Sequence, residues 1–304
     1  MQTVLIAGGT GLVGMYLSKV LKSEGYEVIH LSRKQNLNAK FPAYQWDLKA
    51  GTIDEEALGK ADFIINLAGA GIADARWTAS RKKLIIDSRV NSTLLLKDYI
   101  KKGIAQPEAY ISASAIGYYG DTGEKEVDET ASPNLGEFLS DSTALWENAV
   151  DEIAKTNTRT VKMRIGIVMS TKGGALEKML ISFNFLQAAY FGDGQMWTSW
   201  VHIEDLCRMF QMVMENDSMS GVYNAAAPNP ARNKDLIKGI KEAKNSWAVL
   251  LPVPAFSLKL LMGEMSEAVL GSTKVAVEKI QKAGFKFKFP VLVPALKDIL
   301  KRKI

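Results

Sequence analysis

Apolar residues in this chain follow two periods, and the two periods alternate. Thr3–Ala7 is a short apolar run, the mark of a buried strand. Leu12, Val13, Tyr16, Leu17, Val20 and Leu21 then recur three and four apart, which predicts a helix that Gly25 ends. Val28–Leu31 predicts a second strand and Asp62–Leu67 another. A long helix is expected over about residues 80–102. Ala109–Ser112 and Val161–Met169 read as further strands, with a helix near 140–155 between them, and Val222–Ala225 returns to the same sheet. Repeated strand–helix–strand units demand crossovers of one hand. The fold class is therefore α/β: a Rossmann-type, doubly wound parallel sheet covered on both faces.

After about residue 227 the pattern changes. "APNPAR", "LPVPAF" and "FKFPVLVP" hold most of the prolines, with short helices expected near 233–244, 255–264, 274–283 and 291–302. This divides the chain into a Rossmann domain, residues 1–170 with 200–226 returning to it, and a smaller C-terminal substrate lobe, residues 171–199 and 227–304. The 304 residues, 47% hydrophobic and 23% charged, suit an ordinary globular protein of that size. No apolar run reaches the length of a membrane span, and Val4–Ala7 runs into glycines with no basic segment before it. A cytoplasmic protein is expected. The single cysteine, Cys207, excludes an internal disulfide, and two separated histidines argue against a metal site. Net charge is +5, but the lysines are interspersed with acids and form no basic stripe among aromatics. That speaks against a nucleic-acid partner and leaves some arginines to face an anionic cofactor or substrate.

The first strand leads into "GGTGLVG". Gly8, Gly11 and Gly14 there allow a tight turn, a close approach to a pyrophosphate, and close packing of helix on strand. The helix that follows offers free N–H groups and its positive dipole end to phosphates, so Gly8, Thr10, Gly11, Leu12, Val13 and Gly14 form a dinucleotide socket. An acidic residue at the end of the second strand would hold a ribose 2′-hydroxyl and repel a 2′-phosphate. Here the chain reads Ser32-Arg33-Lys34, a hydroxyl and a guanidinium able to clamp a phosphate, and the cofactor expected is NADP. The competing reading of Arg33 and Lys34 is a solvated turn. Asp47, after a further strand, is either an acceptor for the adenine amino group or a turn residue. Leu67, Ala68 and Gly69 end a strand that faces the cofactor crevice, and Arg89 with Asn91 could brace its nicotinamide side.

These residues resemble the extended short-chain dehydrogenase/reductase superfamily, which includes the nucleotide-sugar epimerases. The resemblance rests on "GGTGLVG", "NLAG" (Asn66–Gly69), "SASAIGYYGD" (Ser112–Asp121) and "WVHIEDL" (Trp200–Leu206). "AGAGIADARWTASRKKLIIDSRVNST", "GDGQMWTSWVHIEDL" and the C-terminal region from Pro254 are similar to an atypical, sugar-nucleotide epimerase-like subgroup. The resemblance implies a Ser or Thr, a Tyr, and a Lys four residues beyond that Tyr as the proton-handling groups. The corresponding positions are Ala115, Leu139 and Thr143, and none carries the residue required.

Tyr119 and Ser114 are the candidate substitutes, Tyr119 (with Tyr118 beside it) as a relocated acid just beyond a strand end. Their alternative roles are packing and a strand-end hydrogen bond. His30 reads as structural, and His202 as a helix cap or a group orienting the lobe. Arg76, Trp77, Arg81 and Arg89 cluster after "NLAG"; Arg76 and Trp77 could bind an anionic or ring-bearing substrate, or the cluster is an ordinary helix surface with a cap. The loop Gly192–Gln195 with Trp197 and Trp200 suits a small-molecule pocket or a hinge. Two functions fit. One is an NADP-dependent oxidoreductase or epimerase with displaced catalytic residues. The other is an NADP-binding sensor or interaction protein without turnover.

Overall fold

The computed structural model describes residues 1–302. Eight strands build the central sheet: β1 (Thr3–Ala7), β2 (Glu27–Ser32), β3 (Ala43–Asp47), β4 (Thr52–Ile53), β5 (Phe63–Asn66), β6 (Ala109–Ala115), β7 (Arg159–Ile165) and β8 (Gly221–Ala225). Their spatial order is β8-β7-β6-β5-β1-β2-β3-β4, and every neighbouring pair is parallel except β3–β4. From β1 the chain moves outward through β2 to β4, then returns to the other side of β1 at β5. That reversal opens a crevice at the strand ends between β1 and β5.

Helix α1 (Leu12–Ser23) links β1 to β2, and α2 (Ala79–Lys101) links β5 to β6. Because the chain moves in opposite directions on the two sides of β1, crossovers of the same hand place α1 and α2 on opposite faces of the sheet. α3 (Phe138–Ala154) packs on α2, and α4 (Ile203–Glu215) packs on α1. Val4, Leu5, Ile6, Ile64, Ile65, Tyr110 and Ile111 are fully covered, as a sheet with helices on both faces requires.

The expected strand over Val161–Met169 is in fact two. β7 ends at Ile165, and Ile167–Met169 pairs instead with Trp200–His202. The break falls on Gly166, where an added Cβ would stand 2.5 Å from the Ser199 carbonyl oxygen. Two backbones meet there, and only glycine leaves the room.

Beyond the sheet a second core gathers Met169, Leu176, Phe183, Trp200, Leu236, Ile240, Leu296 and Ile299. The segment holding Val275, Val277, Ile280 and Phe285 packs on the first core instead. Asp205 of "WVHIEDL" fastens this C-terminal region to α4. Its carboxylate accepts from the backbone N–H of Lys288 (3.0 Å) and Phe289 (2.8 Å) and from Arg208 (2.8 Å). His202 Nδ1 accepts from Glu204 N, so the imidazole caps α4 as one of its expected roles had it, and its ring stacks on Phe289 at 3.8 Å. No helix among the described residues is long and apolar enough to cross a membrane.

Replacing Asp205 with Ala strips two backbone N–H groups of their acceptor in a covered site. The expected loss is about 2–4 kcal/mol of stability, read as a lower urea midpoint. An unchanged midpoint would show that the C-terminal region is held by its apolar contacts alone.

Candidate functional site

The turn after β1 divides its glycines into two kinds. Gly8 has φ +77°, and a Cβ there would lie 2.8 Å from the Leu67 carbonyl and 2.9 Å from Ala68 N. A Cβ on Gly14 would lie 2.6 Å from Gly8 O, and one on Gly9 would overlap the His30 ring. The chain itself requires these three. Gly11 is different: φ −76° and ψ 175° suit any residue, and its added Cβ would meet only Gly8 O, at 3.3 Å. Its want of a side chain leaves space in front of α1. That helix begins at Leu12 with no side-chain cap and no acidic residue in its first turn. Its leading N–H groups and positive dipole end therefore face the space beside Gly11, with Thr10 exposed and Leu12 and Val13 half-buried. The arrangement fits a phosphate.

His30 supports this turn from below. Ser18 donates to Gly14 O (2.7 Å), which leaves its oxygen to accept from His30 Nε2 (2.7 Å). Burial pushes the imidazole down to about 4, so it is neutral at physiological pH. The role is structural, as expected.

At the end of β2, Ser32 is half-buried and Arg33 is exposed. Asp47, at the end of β3, accepts from Lys49 N (2.8 Å) and Ala50 N (3.1 Å), and these bonds hold its carboxyl below the usual range. One oxygen of Asp47 thus serves the turn, the second of its two expected roles.

The β5 end is fixed by Asn66, which donates to Tyr110 Oη (2.8 Å) and accepts from Ala68 N (3.0 Å). Leu67, Ala68 and Gly69 are led past the β1 turn, where Gly8 meets them. The Arg89 guanidinium lies against Gly69 and donates to Ala70 O and Ile85 O, both at 3.0 Å. Burial, aided by the like charge of Arg81, pulls its pKa down to about 10. Arg76 donates to Leu260 O (3.1 Å). Trp77 is buried, donating to Ile72 O and packing edge-on against Phe138, so it is not available as a platform for a substrate ring.

Past β6 the chain makes one 3₁₀ turn, Ile116–Tyr119. Leu139 and Thr143 of α3 do face this turn: a Cβ on Gly117 would lie 3.4 Å from Leu139 Cβ and 3.8 Å from Thr143 Oγ1. Thr143 spends its hydroxyl on Leu139 O (2.7 Å).

Tyr119 and Ser114 are both buried. Tyr119 is only 3% exposed, and its hydroxyl donates to Asn224 Oδ1 (2.7 Å) while accepting from Arg164 (2.9 Å). Ser114 donates to Glu147 (2.6 Å), and Glu147 takes Arg164 through two bonds of 2.8 Å. Burial, the largest influence, raises Tyr119 to about 12. Both hydroxyl protons are committed inside a closed network that also includes Tyr118, stacked on Arg164 at 3.5 Å. The sequence placed these residues at a strand end but did not reveal Arg164 and Asn224, the partners that draw them inward.

A family model described as the NAD-dependent epimerase/dehydratase family matches residues 4–226, and a domain of unknown function matches 253–299. The chain belongs to the NAD-dependent epimerase/dehydratase family. Within it, the Bacillus subtilis epimerase family protein YfhF is 36% identical over 98% of each chain, and a Staphylococcus aureus epimerase family protein is 35% identical over 99% of this chain and all of its own. The structure of the human epimerase family protein SDR39U1 with NADPH superimposes with a TM-score of 0.87 at 30% identity, covering 98% of this chain and 99% of that one. The Thermus thermophilus UDP-glucose 4-epimerase, at 18% identity and TM-score 0.75 over all of both chains, shares the fold. As an epimerase/dehydratase family member the chain is a nicotinamide-dinucleotide-binding protein of Rossmann type.

Gly11→Val should separate folding from binding. Its backbone angles tolerate the change, so stability should fall by no more than about 1 kcal/mol. Calorimetry should show dinucleotide binding abolished. Undiminished affinity in the folded variant would mean that the space before α1 is not the phosphate socket.

Proposed function

We propose that this protein binds NADP(H) in preference to NAD(H) and presents its nicotinamide end to a small-molecule substrate at the β5 and β6 strand ends. The observation that carries the reading is Ser32-Arg33 at the end of β2, with the guanidinium exposed and no acid in its place. A 2′-phosphate meets a cation there instead of a repelling carboxylate. The human relative crystallised with NADPH supports the same choice. Gly8, Thr10, Gly11, Leu12, Val13 and Gly14 hold the pyrophosphate, Ser32 and Arg33 the 2′-phosphate, and Leu67–Gly69 with Arg89 flank the nicotinamide. The adenine end lies toward Asp47.

When bound, the dinucleotide supplies hydride exchange, the chemistry of an oxidoreductase or epimerase. Ala115, Leu139 and Thr143 stand where such enzymes keep their hydroxyl, phenol and ammonium groups, so any turnover proceeds without that Tyr–Lys pair. A non-catalytic NADP-binding sensor is the second reading, favoured by the commitment of Ser114 and Tyr119 to internal hydrogen bonds. Consumption of NADPH against a panel of small carbonyl compounds separates the two.

Arg33→Ala tests the cofactor assignment. A charge-assisted contact to the phosphate contributes about 1.5–3 kcal/mol, so NADPH affinity should fall by about tenfold or more while NADH affinity barely changes. Equal losses for both dinucleotides would remove Arg33 from the phosphate site.

A further inference from the structure

Arg89 is a cation without a counter-charge. Its hydrogen bonds go to two backbone carbonyls, Ala70 O and Ile85 O, and none of the ion pairs among the described residues includes it. The nearby charge that acts on it is Arg81, of the same sign, and the one carboxylate of the adjoining loop, Asp74, is already paired with Arg81. Covered charges in proteins are ordinarily paired, because the loss of hydration must be offset. Here the offset is incomplete.

A second group beside it is also unsatisfied. Trp146 of α3 is 6% exposed, and its indole Nε1–H has no hydrogen-bond partner. The Arg89 guanidinium lies 5.3 Å from the centroid of that indole. Trp146 follows Thr143 by three positions on α3, on the helix face that carries Leu139 and Thr143 toward the β6 turn. Arg89 reaches the crevice from the other side, where a Cβ on Gly69 would lie 2.9 Å from its guanidinium carbon. A half-buried cation and a buried neutral donor without a partner thus lie side by side, next to the β5 strand end at Gly69.

We propose that Arg89 and the Trp146 indole N–H form a subsite for an oxyanion, the carboxylate of a small-molecule substrate. A carboxylate accepts two donors through its two oxygens, which this pair supplies, and the guanidinium gives the charge. Arg89, which flanks the nicotinamide, then also holds the acid group of the substrate beside it. The assignment rests on the reading of the crevice as the dinucleotide site, and it narrows the substrate to acids.

The test uses the full chain with ¹⁵N-labelled tryptophan, the indole resonance of Trp146 being assigned by its loss in Trp146→Phe. Acetate and inorganic phosphate are titrated separately into the free and the NADPH-saturated protein. Acetate should move the Trp146 indole proton downfield and saturably in both states, with phosphate weaker. In Arg89→Met the acetate affinity should fall by about tenfold or more. The melting temperature should be unchanged or higher, because the variant removes an uncompensated charge; a purely structural arginine would lower it. Arg89→Lys, which keeps the charge, should restore part of the acetate response and covers the case in which the Met variant does not fold. An unmoved indole resonance, or equal acetate affinity in the Arg89 variants, would overturn the proposal. Displacement of acetate by NADPH would overturn it too, by giving the site to the cofactor. Failure of NADPH to bind would overturn the dinucleotide reading alone, since the free protein still reports on the subsite.

Discussion

The contact on which the site depends is backbone against backbone. Gly8 turns the chain out of β1 directly onto the carbonyl of Leu67 and the amide of Ala68 at the end of β5, with no room for a single carbon between them. Gly14 then brings α1 down onto Gly8. These approaches fix where α1 starts, and they fix it at the point where the sheet reverses direction. The crevice, the exposed helix terminus and the neighbouring strand ends all follow from that placement. A helix displaced by one side chain would carry its N–H groups away from the β5 end, and the two halves of a dinucleotide site would no longer face each other.

On the far side of the crevice the same economy is achieved with charge. Arg164 of β7 is held by Glu147 of α3 and bonded to Tyr119, which reaches Asn224 of β8. One network therefore ties β6, β7, β8 and α3 beneath the strand ends. A fully satisfied buried network of this kind rigidifies and specifies, and breaking one member leaves the others unpaired. It contrasts with Arg89, whose charge finds no such closure. The structure thus holds one arginine closed by a carboxylate and one whose only hydrogen bonds go to backbone carbonyls.

Much of this was legible in the sequence because it is local. The glycine spacing, the alternation of strand and helix and the Ser32-Arg33 pair each lie within a few residues, and the structure has them where the pattern put them. What was not legible depends on partners far along the chain. Tyr119 looked available because Arg164 and Asn224, 45 and 105 residues away, leave no local mark. Trp77 looked like a platform, but Phe138 covers it from another element. Gly166 sat in an apolar run and gave no sign that Ser199 would press against it. Asp47 carried two readings in sequence, and the turn through Lys49 and Ala50 accounts for one of its oxygens.

The central claim is that the free end of α1, opened by Gly11 and positioned by Gly8, receives the dinucleotide phosphates. Amide chemical-shift mapping with NADPH tests it most directly. The account predicts that the backbone N–H resonances of Leu12, Val13 and Gly14 move downfield together, as amides do when they take up a phosphate oxygen, with smaller shifts at Ser32 and Arg33. Saturable binding that leaves these amides in place and moves residues elsewhere would contradict it.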